Sequence, residues 1–500
     1  MTSLWLDQAP AITTDHFESG ARYDVAIIGA GLTGLTSALL LSRAGKRVVV
    51  LEARHVGAVA TGNTTAKLSL LQGSRLSSIH RVSGRGVAGA YLAANRAGAQ
   101  WLRDYLDERG VAYDRRPAYS YATTPRGMAT MQREYEVARE LGLPVERVRT
   151  DELPFTTHGA VRLDDQAQFD PMLVLAALAD DVRELGGVIV DDVRVTGVAA
   201  RHDPAVVSTS RGEVRAGAVV VATGSPVLDR GLYWAKLTPR RSYAAAFRVL
   251  APVPNGMYLS VDPTTRSLRS AADPAEAGSQ LLLVGGNGHG VGRVDSEAAH
   301  LDDLTRWTQQ HWPAAERTHV WSAQDYETPH LVPFTGWMPR GAGRIYLATG
   351  YDKWGMTNAV QSALQLTAEL TGAEPLPWAT RLGHRITTPQ ALARGIGANA
   401  AVGWWYAKGW GRMLASRLPE HPVAEGTGVT GRDGTRPTAE STVDGETCRV
   451  SALCSHLGAA LQWNDLERSW DCPAHGSRFT PRGEVLEGPA TRPLGARDPR

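Results

Sequence analysis

The chain has 500 residues, 43% of them hydrophobic, which is enough for about three domains with substantial cores. Lys and Arg total 53 against 51 Asp and Glu, a formal net charge of +2, and no run of like charge is long enough for a nucleic-acid arm, so nucleic acid is not an expected partner. The opening Met-Thr-Ser-Leu-Trp-Leu-Asp has no basic region leading into an apolar core, no stretch reaches about eighteen uncharged apolar residues, and three cysteines exclude a disulfide framework; a cytoplasmic protein with no membrane span is expected.

From Tyr23 the chain reads Tyr-Asp-Val-Ala-Ile-Ile-Gly, a β-branched run that predicts a buried strand. Gly29-Ala30-Gly31-Leu32-Thr33-Gly34 follows, then an apolar helix to about Ala44 with Gly45 as its cap. A second strand from Arg47 to Leu51 ends in Glu52. Glycines at this spacing permit a tight turn, close approach of the backbone to a pyrophosphate, and close helix–strand packing, with phosphate on the helix N-terminus. Glu52, eighteen positions beyond Gly34, is placed for ribose hydroxyls and would repel the extra phosphate of NADP. The glycine pattern alone is weak; the flanking strand, helix and carboxylate give it weight.

Residues 51–70 read Leu-Glu-Ala-Arg-His-Val-Gly-Ala-Val-Ala-Thr-Gly-Asn-Thr-Thr-Ala-Lys-Leu-Ser-Leu. This stretch resembles the second flavin-contacting loop of the D-amino-acid oxidase-like FAD superfamily, especially its amine-oxidising branch. The resemblance implies FAD, with Ala53, Thr61, Gly62, Thr64 and Thr65 beside Glu52 and the glycine loop as contacts. Asp170-Pro171 opens an apolar helix to about Leu185, with Asp as N-cap and Pro at the first helical position. Val219 to Gly224 resembles the superfamily's return strand, adding Ala222, Thr223 and Gly224, with Val195, to the expected FAD contacts. Arg344 to Gly350, Tyr351 to Thr357 and a helix to about Leu370 resemble its closing strand–loop–helix. That likeness implies contacts from Gly350, Gly355, Met356 and Thr357, with the positive helix end stabilising the reduced flavin.

Other signals are read more plainly. Gly285 to Gly292 follows a strand-like run but opens no helix, so a turn is expected, not a second nucleotide loop. Arg240-Arg241 reads as a solvated pair at a strand end, with anion binding as the alternative. Lys353 is either flavin-facing or a surface lysine, and Tyr326 and His330 are possible pocket residues. Trp321 to Gly336 lacks the Arg with which many amino-acid oxidases of the superfamily clamp a carboxylate, which points to an amine, a polyamine derivative or an N-alkyl substrate. Residues 373–425 read as a connector. Its aromatic-basic stretch Ala401 to Arg412 suits either a membrane-surface helix or a helix covering an apolar surface between domains, and four glycines from Gly397 to Gly411 favour the second. The run from His421 to about Asp433 reads as the final linker.

Cys454-Ser-His456 and Cys472-Pro-Ala-His475-Gly-Ser477 carry one thiolate and one imidazole per loop. That order matches a Rieske [2Fe–2S] centre with Cys454, Cys472, His456 and His475 as ligands, where neutral imidazoles raise the potential above that of an all-Cys site. Zinc is the rival, although zinc patterns pair Cys with Cys and His with His. Leu457-Gly458, Gly476 to Phe479 and Gly483 to Ala490 also resemble the Rieske frame, which implies that Ser477 bonds a bridging sulfide. Ala459 and Ala474 stand where high-potential members carry a disulfide, and Phe479 where they carry Tyr, so the likeness implies a lower-potential, ferredoxin-type centre. Cys448 is spare.

The expected architecture is an α/β, Rossmann-like FAD-binding domain with a mixed-sheet substrate domain over residues 1–372, a connector, and a small all-β Rieske domain over residues 426–500. The order resembles a bacterial family of FAD-dependent oxidoreductases with a C-terminal Rieske domain. A flavin takes two electrons together and a Rieske cluster carries one, so a small-molecule substrate would reduce FAD by C–N oxidation and the cluster would drain it toward an external electron-carrier protein. A non-catalytic redox sensor is the alternative. A Rieske oxygenase is disfavoured because no two His are five positions apart. No catalytic base is identified, and direct hydride transfer needs none beyond a neutral substrate nitrogen.

Overall fold

A computed structural model describes residues 1–383 and 386–497; residues 498–500 of the expected Rieske segment lie outside the described residues. The strands Arg22–Ile28 and Val48–Leu51 pair in parallel, and their β-branched runs are buried on both faces. Alternate residues feed two cores: Val25, Ile27, Val48 and Val50 pack with Leu35 and Leu39 of the helix Leu32–Arg43, while Ala26, Ile28, Val49 and Leu51 pack with Val207, Val214 and Met338. The sheet runs Phe334–Trp337, Ile345–Thr349, Gly212–Val221, Arg22–Ile28, Val48–Leu51, Val188–Val190, and a hairpin of Val195–Ala199 with Ala205–Thr209 joins the side of Gly212–Val221. The expected Asp-Pro helix is Pro171–Glu184, with the Asp170 carboxylate accepting from the Met172 N–H at 2.8 Å. The closing helix is Gly355–Thr371.

A second, mixed sheet of nine strands forms the substrate side, from Glu316–Glu327 and Thr238–Arg248 at one edge to Gly159–Phe169 and Lys67–Leu68 at the other. Here the glycine-rich run departs from the expected turn. Gln280–Gly290 is one strand, held by ladders to Thr238–Arg248 and Arg266–Ala272 on both sides, with Asn287 at a positive φ of 55°. Two-sided pairing overrides the local turn preference of four glycines.

The C-terminal part is all-β: a three-stranded sheet of Gly428–Asp433, Arg436–Val443 and Glu446–Ser451, and a four-stranded sheet from Gln462–Asn464 to Val485–Glu487. Gly428–Asp433 is therefore a strand, not linker; Gly434-Thr435 makes the two-residue hairpin turn, with Gly434 at φ 60°. Between the bodies, Pro389–Ala415 forms a continuous 27-residue helix through its glycines, capped by the Thr388 hydroxyl. It places Ala391 in a core of the larger body and Met413 in that of the C-terminal part, with Val402 and Trp410 packed against the latter, and no described helix is long and apolar enough to cross a membrane.

Arg241 also departs from expectation. Its side chain is 2% exposed and pairs with Glu467 of the C-terminal part, Nε at 2.6 Å and Nη2 at 2.5 Å, because the C-terminal sheet closes over this strand. Arg478 meets Glu467 at 2.9 Å, Asp471 at 3.0 Å and Glu487 at 2.9 Å, and the Ser322 hydroxyl donates to Glu467 at 2.7 Å. Burial alone would raise the Glu467 carboxyl, but Arg241 and Arg478 hold it far below the usual carboxylate range. Arg240, beside it, pairs with Glu327 at 3.3 Å.

Removing one partner of such a cluster leaves charge buried without its counter-ion. Arg241→Ala should lower unfolding stability by about 3–5 kcal/mol in denaturant titration. A carboxyl with a depressed folded pKa contributes fully above its unfolded value of about 4.3 and loses that contribution as pH falls toward the folded value, so the deficit should be undiminished from about pH 5 to 8.

Candidate functional site

A cavity of about 940 Å³ lies between the two large sheets. Gly29, Gly31, Leu32 and Thr33 line it where the first strand turns into the helix. Gly29 has a φ of 106°, and a Cβ there would stand 3.0 Å from the Ala222 carbonyl oxygen. Ala30 and Gly34 stand behind this wall: the Ala30 N–H donates to Glu52 Oε2 at 2.8 Å, and a Cβ on Gly34 would lie 1.9 Å from the Gly29 oxygen. The helix has no acidic residue in its first turn, so its N-terminal N–H groups face the cavity without an internal counter-charge. Glu52, Ala53, Thr61, Thr64 and Thr65 line the same wall, with the Leu32 N–H donating to Thr61 Oγ1 at 3.2 Å. A Cβ on Gly62 would meet the Gly57 oxygen at 2.4 Å, so Gly62 keeps the loop tight from behind.

Val195, Ala222, Thr223 and Gly224 complete one end, and Gly350, Gly355 and Met356 the other. Thr357 does not reach the cavity; its hydroxyl bonds the buried pair Asn95 and Gln72. An extended groove of glycines, an uncompensated helix start and a strand-end carboxylate fit a dinucleotide such as FAD. Lys353 faces in, with Nζ 2.6 Å from Asp325 and 2.9 Å from the Ser242 hydroxyl. Tyr326 lines the wall; Leu331, rather than His330, reaches it.

The far wall carries groups that sequence reading missed. Asp325, Glu327 and Asp352 gather opposite Lys353, Arg240, Arg394 and Arg75, the last two paired to Glu327 and Asp352. Burial raises the Asp325 and Glu327 carboxyls, whereas Asp352, which burial would also raise, is held low by Arg75 and Lys353. Asp325 Oδ1 is buried with no hydrogen-bond partner. Lys67 lines the cavity with Nζ 3.2 Å from the Tyr258 carbonyl, and burial followed by the Arg269 charge brings it down to about 7. Lys67 lay within the quoted loop; the acidic groups are assembled by strand pairing that no local pattern announces.

Leu486, Glu487 and Gly488 of the C-terminal part form a piece of the same cavity wall. Behind them lie Cys454, His456, Cys472 and His475. The two cysteine loops share one geometry: the Gly458 N–H donates to the Cys454 carbonyl at 2.9 Å and the Gly476 N–H to the Cys472 carbonyl at 3.0 Å, each glycine with φ in the left-handed range. The thiols contact each other, and the Cys472 S–H, donating to Cys454, draws the Cys454 thiol down. The imidazole rings stand edge to face with centroids 5.3 Å apart, and burial lowers His475 to about 4, keeping it neutral. Both ring nitrogens of His475 and Nδ1 of His456 are buried without partners. Paired thiols and paired, orphaned imidazole nitrogens fit a two-iron cluster with one pair per iron. Ser477 Oγ bonds toward Cys454 and accepts from the Ala490 N–H at 3.0 Å. Ala459, Ala474 and Phe479 are buried around the loops.

The imidazole edge faces into the protein. The Trp234 ring stands edge-on to His475 at 4.8 Å and to His456 at 6.1 Å. The Gln324 amide donates to the Gly476 carbonyl at 2.8 Å and to the Tyr326 hydroxyl at 2.7 Å, and Arg293 donates to the Pro473 carbonyl at 2.8 Å.

Residues 24–370 match the family model described as FAD dependent oxidoreductase, and residues 425–496 that of the Rieske [2Fe-2S] domain. A Rieske 2Fe-2S iron-sulfur protein of Bacillus subtilis strain 168, YhfW, is 31% identical over 99% of this chain and 96% of its own length. The gamma-glutamylputrescine oxidoreductase of Escherichia coli K12 is 28% identical over 43% of this chain and 52% of that protein. Among solved structures, glycine oxidase from Geobacillus kaustophilus superposes on 71% of this chain and 96% of its own with a TM-score of 0.59 at 21% identity, a likeness of fold.

Replacing His456 or His475 by Cys should keep iron while lowering the cluster's potential by about 100 mV or more in a redox titration; an unchanged potential would count against ligation. Glu52→Ala should weaken flavin binding by about 10- to 100-fold, the worth of a charged hydrogen bond, with the cluster's absorbance unchanged.

Proposed function

From the premise that the chain belongs to the FAD dependent oxidoreductase family and is an oxidoreductase using FAD and a C-terminal Rieske cluster, we propose that it oxidises the C–N bond of an amine, a polyamine derivative or an N-alkyl compound and hands the electrons to an external carrier protein. The observation that carries this reading is that one cavity is walled by the glycine loop on one side and by residues 486–488 of the Rieske domain on another. Bound there, FAD would take a hydride from the carbon next to nitrogen, and the cluster would carry electrons away one at a time.

The chain's own groups supply binding and exclusion. The glycine loop and Glu52 would hold the dinucleotide, with Thr61, Thr64 and Thr65 donating toward it. Asp325, with one buried oxygen free of partners, would accept from the substrate N–H, while Glu327 and Asp352 are held by Arg240, Arg394 and Arg75. Ser322, Gln324 and Tyr326 occupy the segment where a carboxylate-clamping Arg was sought, and all three are engaged with the Rieske side. That arrangement favours an amine over a simple α-amino acid, as does the likeness to an enzyme whose name specifies gamma-glutamylputrescine. Tyr326, the Gln324 amide and the Gly476 carbonyl form a hydrogen-bonded line from the cavity wall to the residue after His475, along which electrons would pass to the cluster. With Cys454 and Cys472 given to the cluster and Cys448 left as a thiol, the cysteine usage suits a cytoplasmic setting.

The test is an anaerobic spectrum of the purified protein against a panel of amines, gamma-glutamylputrescine and amino acids, with flavin and cluster bands followed separately. One amine should bleach the flavin and then reduce the cluster. Reduction by amino acids alone would replace the substrate class, and no reduction by any compound would overturn the reading.

A further inference from the structure

Residues 375–419 contain six Lys or Arg and no Asp or Glu, although acidic and basic residues are nearly balanced in the whole chain. Within this stretch the helix Pro389–Ala415 runs about 40 Å. Its protein-facing side is well engaged: Arg394 pairs with Glu327, the Asn399 amide donates to the Ala235 carbonyl, the Tyr406 hydroxyl to the Leu457 carbonyl and the Trp410 indole to the Gly458 carbonyl. At about 100° per residue, Ile396, Ala400, Trp404, Ala407, Gly411 and Leu414 fall within one sector about 80° wide that none of these contacts enters, and all are exposed. Ile396 is 61% and Trp404 67% exposed, and Ile386, three residues before the helix, is 84% exposed. No charged side chain interrupts this sector. Lys408, over the Trp405 ring, is exposed at its margin, Arg412 lies about 40° further round and reaches Gln462, and Arg417 lies beyond the helix end.

We propose that this outward helix face is a monotopic attachment site that lays the protein on an anionic lipid surface. An apolar stripe bordered by basic residues and indole rings, on a helix that does not span, is the composition that sinks partway into a headgroup layer. The charge selects among occupants. A second copy of the same face would bring Lys408, Arg412 and Arg417 against their own kind with no carboxylate to offset them, whereas anionic headgroups supply the missing counter-charge. The inference is independent of the substrate assigned above.

The full-length holoprotein should co-sediment with phosphatidylcholine–phosphatidylglycerol vesicles about tenfold more than with phosphatidylcholine alone, and added salt should weaken the binding. Ile396→Asp and Trp404→Glu, both at exposed positions, should abolish sedimentation, and Lys408→Glu with Arg412→Glu should erase the preference for anionic lipid. Unchanged flavin and cluster spectra would show these variants folded. The proposal is overturned by absent sedimentation, by variants that still bind, or by light scattering that finds a dimer which Ile396→Asp dissociates.

Discussion

Five charged side chains, Arg241, Arg478, Glu467, Asp471 and Glu487, meet out of water in the seam between the two bodies. Each alone would carry a desolvation cost of several kcal/mol, so the docked arrangement is the one in which all five are satisfied. Arg241 comes from a strand of the substrate sheet, and Glu467 from the turn between two strands of the Rieske sheet. A small rotation of one body on the other would leave these ions unpaired. The smaller contacts then have fixed positions: the Asp465 carboxylate accepts from the Glu297 N–H at 2.9 Å, capping the helix Glu297–His311, and Arg194 reaches the Val485 carbonyl at 2.7 Å.

This registration explains why the cluster ligands face inward. His475 is 6% exposed, covered by Trp234, Arg293 and Gln324, all from the oxidoreductase body. A low-dielectric surrounding favours neutral imidazole, the form a metal binds, and burial moves His475 in that direction. The same closure brings residues 486–488 to the cavity, so substrate chemistry and electron removal share one wall.

What was legible in the sequence is what chain neighbours determine. The glycine loop, the Asp170 cap and the two Cys-x-His or Cys-x-x-His loops each build their geometry within a few residues, and the reading of FAD and Rieske modules followed from them. Arg241 was misread because its partner is 226 positions away; a dibasic pair defaults to solvent until tertiary closure supplies a counter-ion. Gly285 to Gly290 was misread because turn preference is local and a two-sided ladder is not. Gly428–Asp433 reads as linker from its polar composition, and only its pairing with Arg436–Val443 across Gly434-Thr435 makes it a strand. In the long helix Gly409 serves close approach, since a Cβ there would press to 3.2 Å on Ala460, whereas Gly397, Gly403 and Gly411 face open space. The acidic wall of the cavity had no local signal at all.

A cavity with walls from both bodies has a consequence for maturation. Any ligand that touches the glycine loop and Leu486 to Gly488 together binds only the closed form, and so favours closure by RT ln(1 + [L]/Kd), about 2.7 kcal/mol at a hundredfold excess. Cofactor loading and the seating of the Rieske body are thus steps of one equilibrium. A chain made where flavin is scarce would hold its last eighty or so residues more loosely, with the seam open to proteolysis, and flavin supply would act on the lifetime of the protein before it acted on turnover.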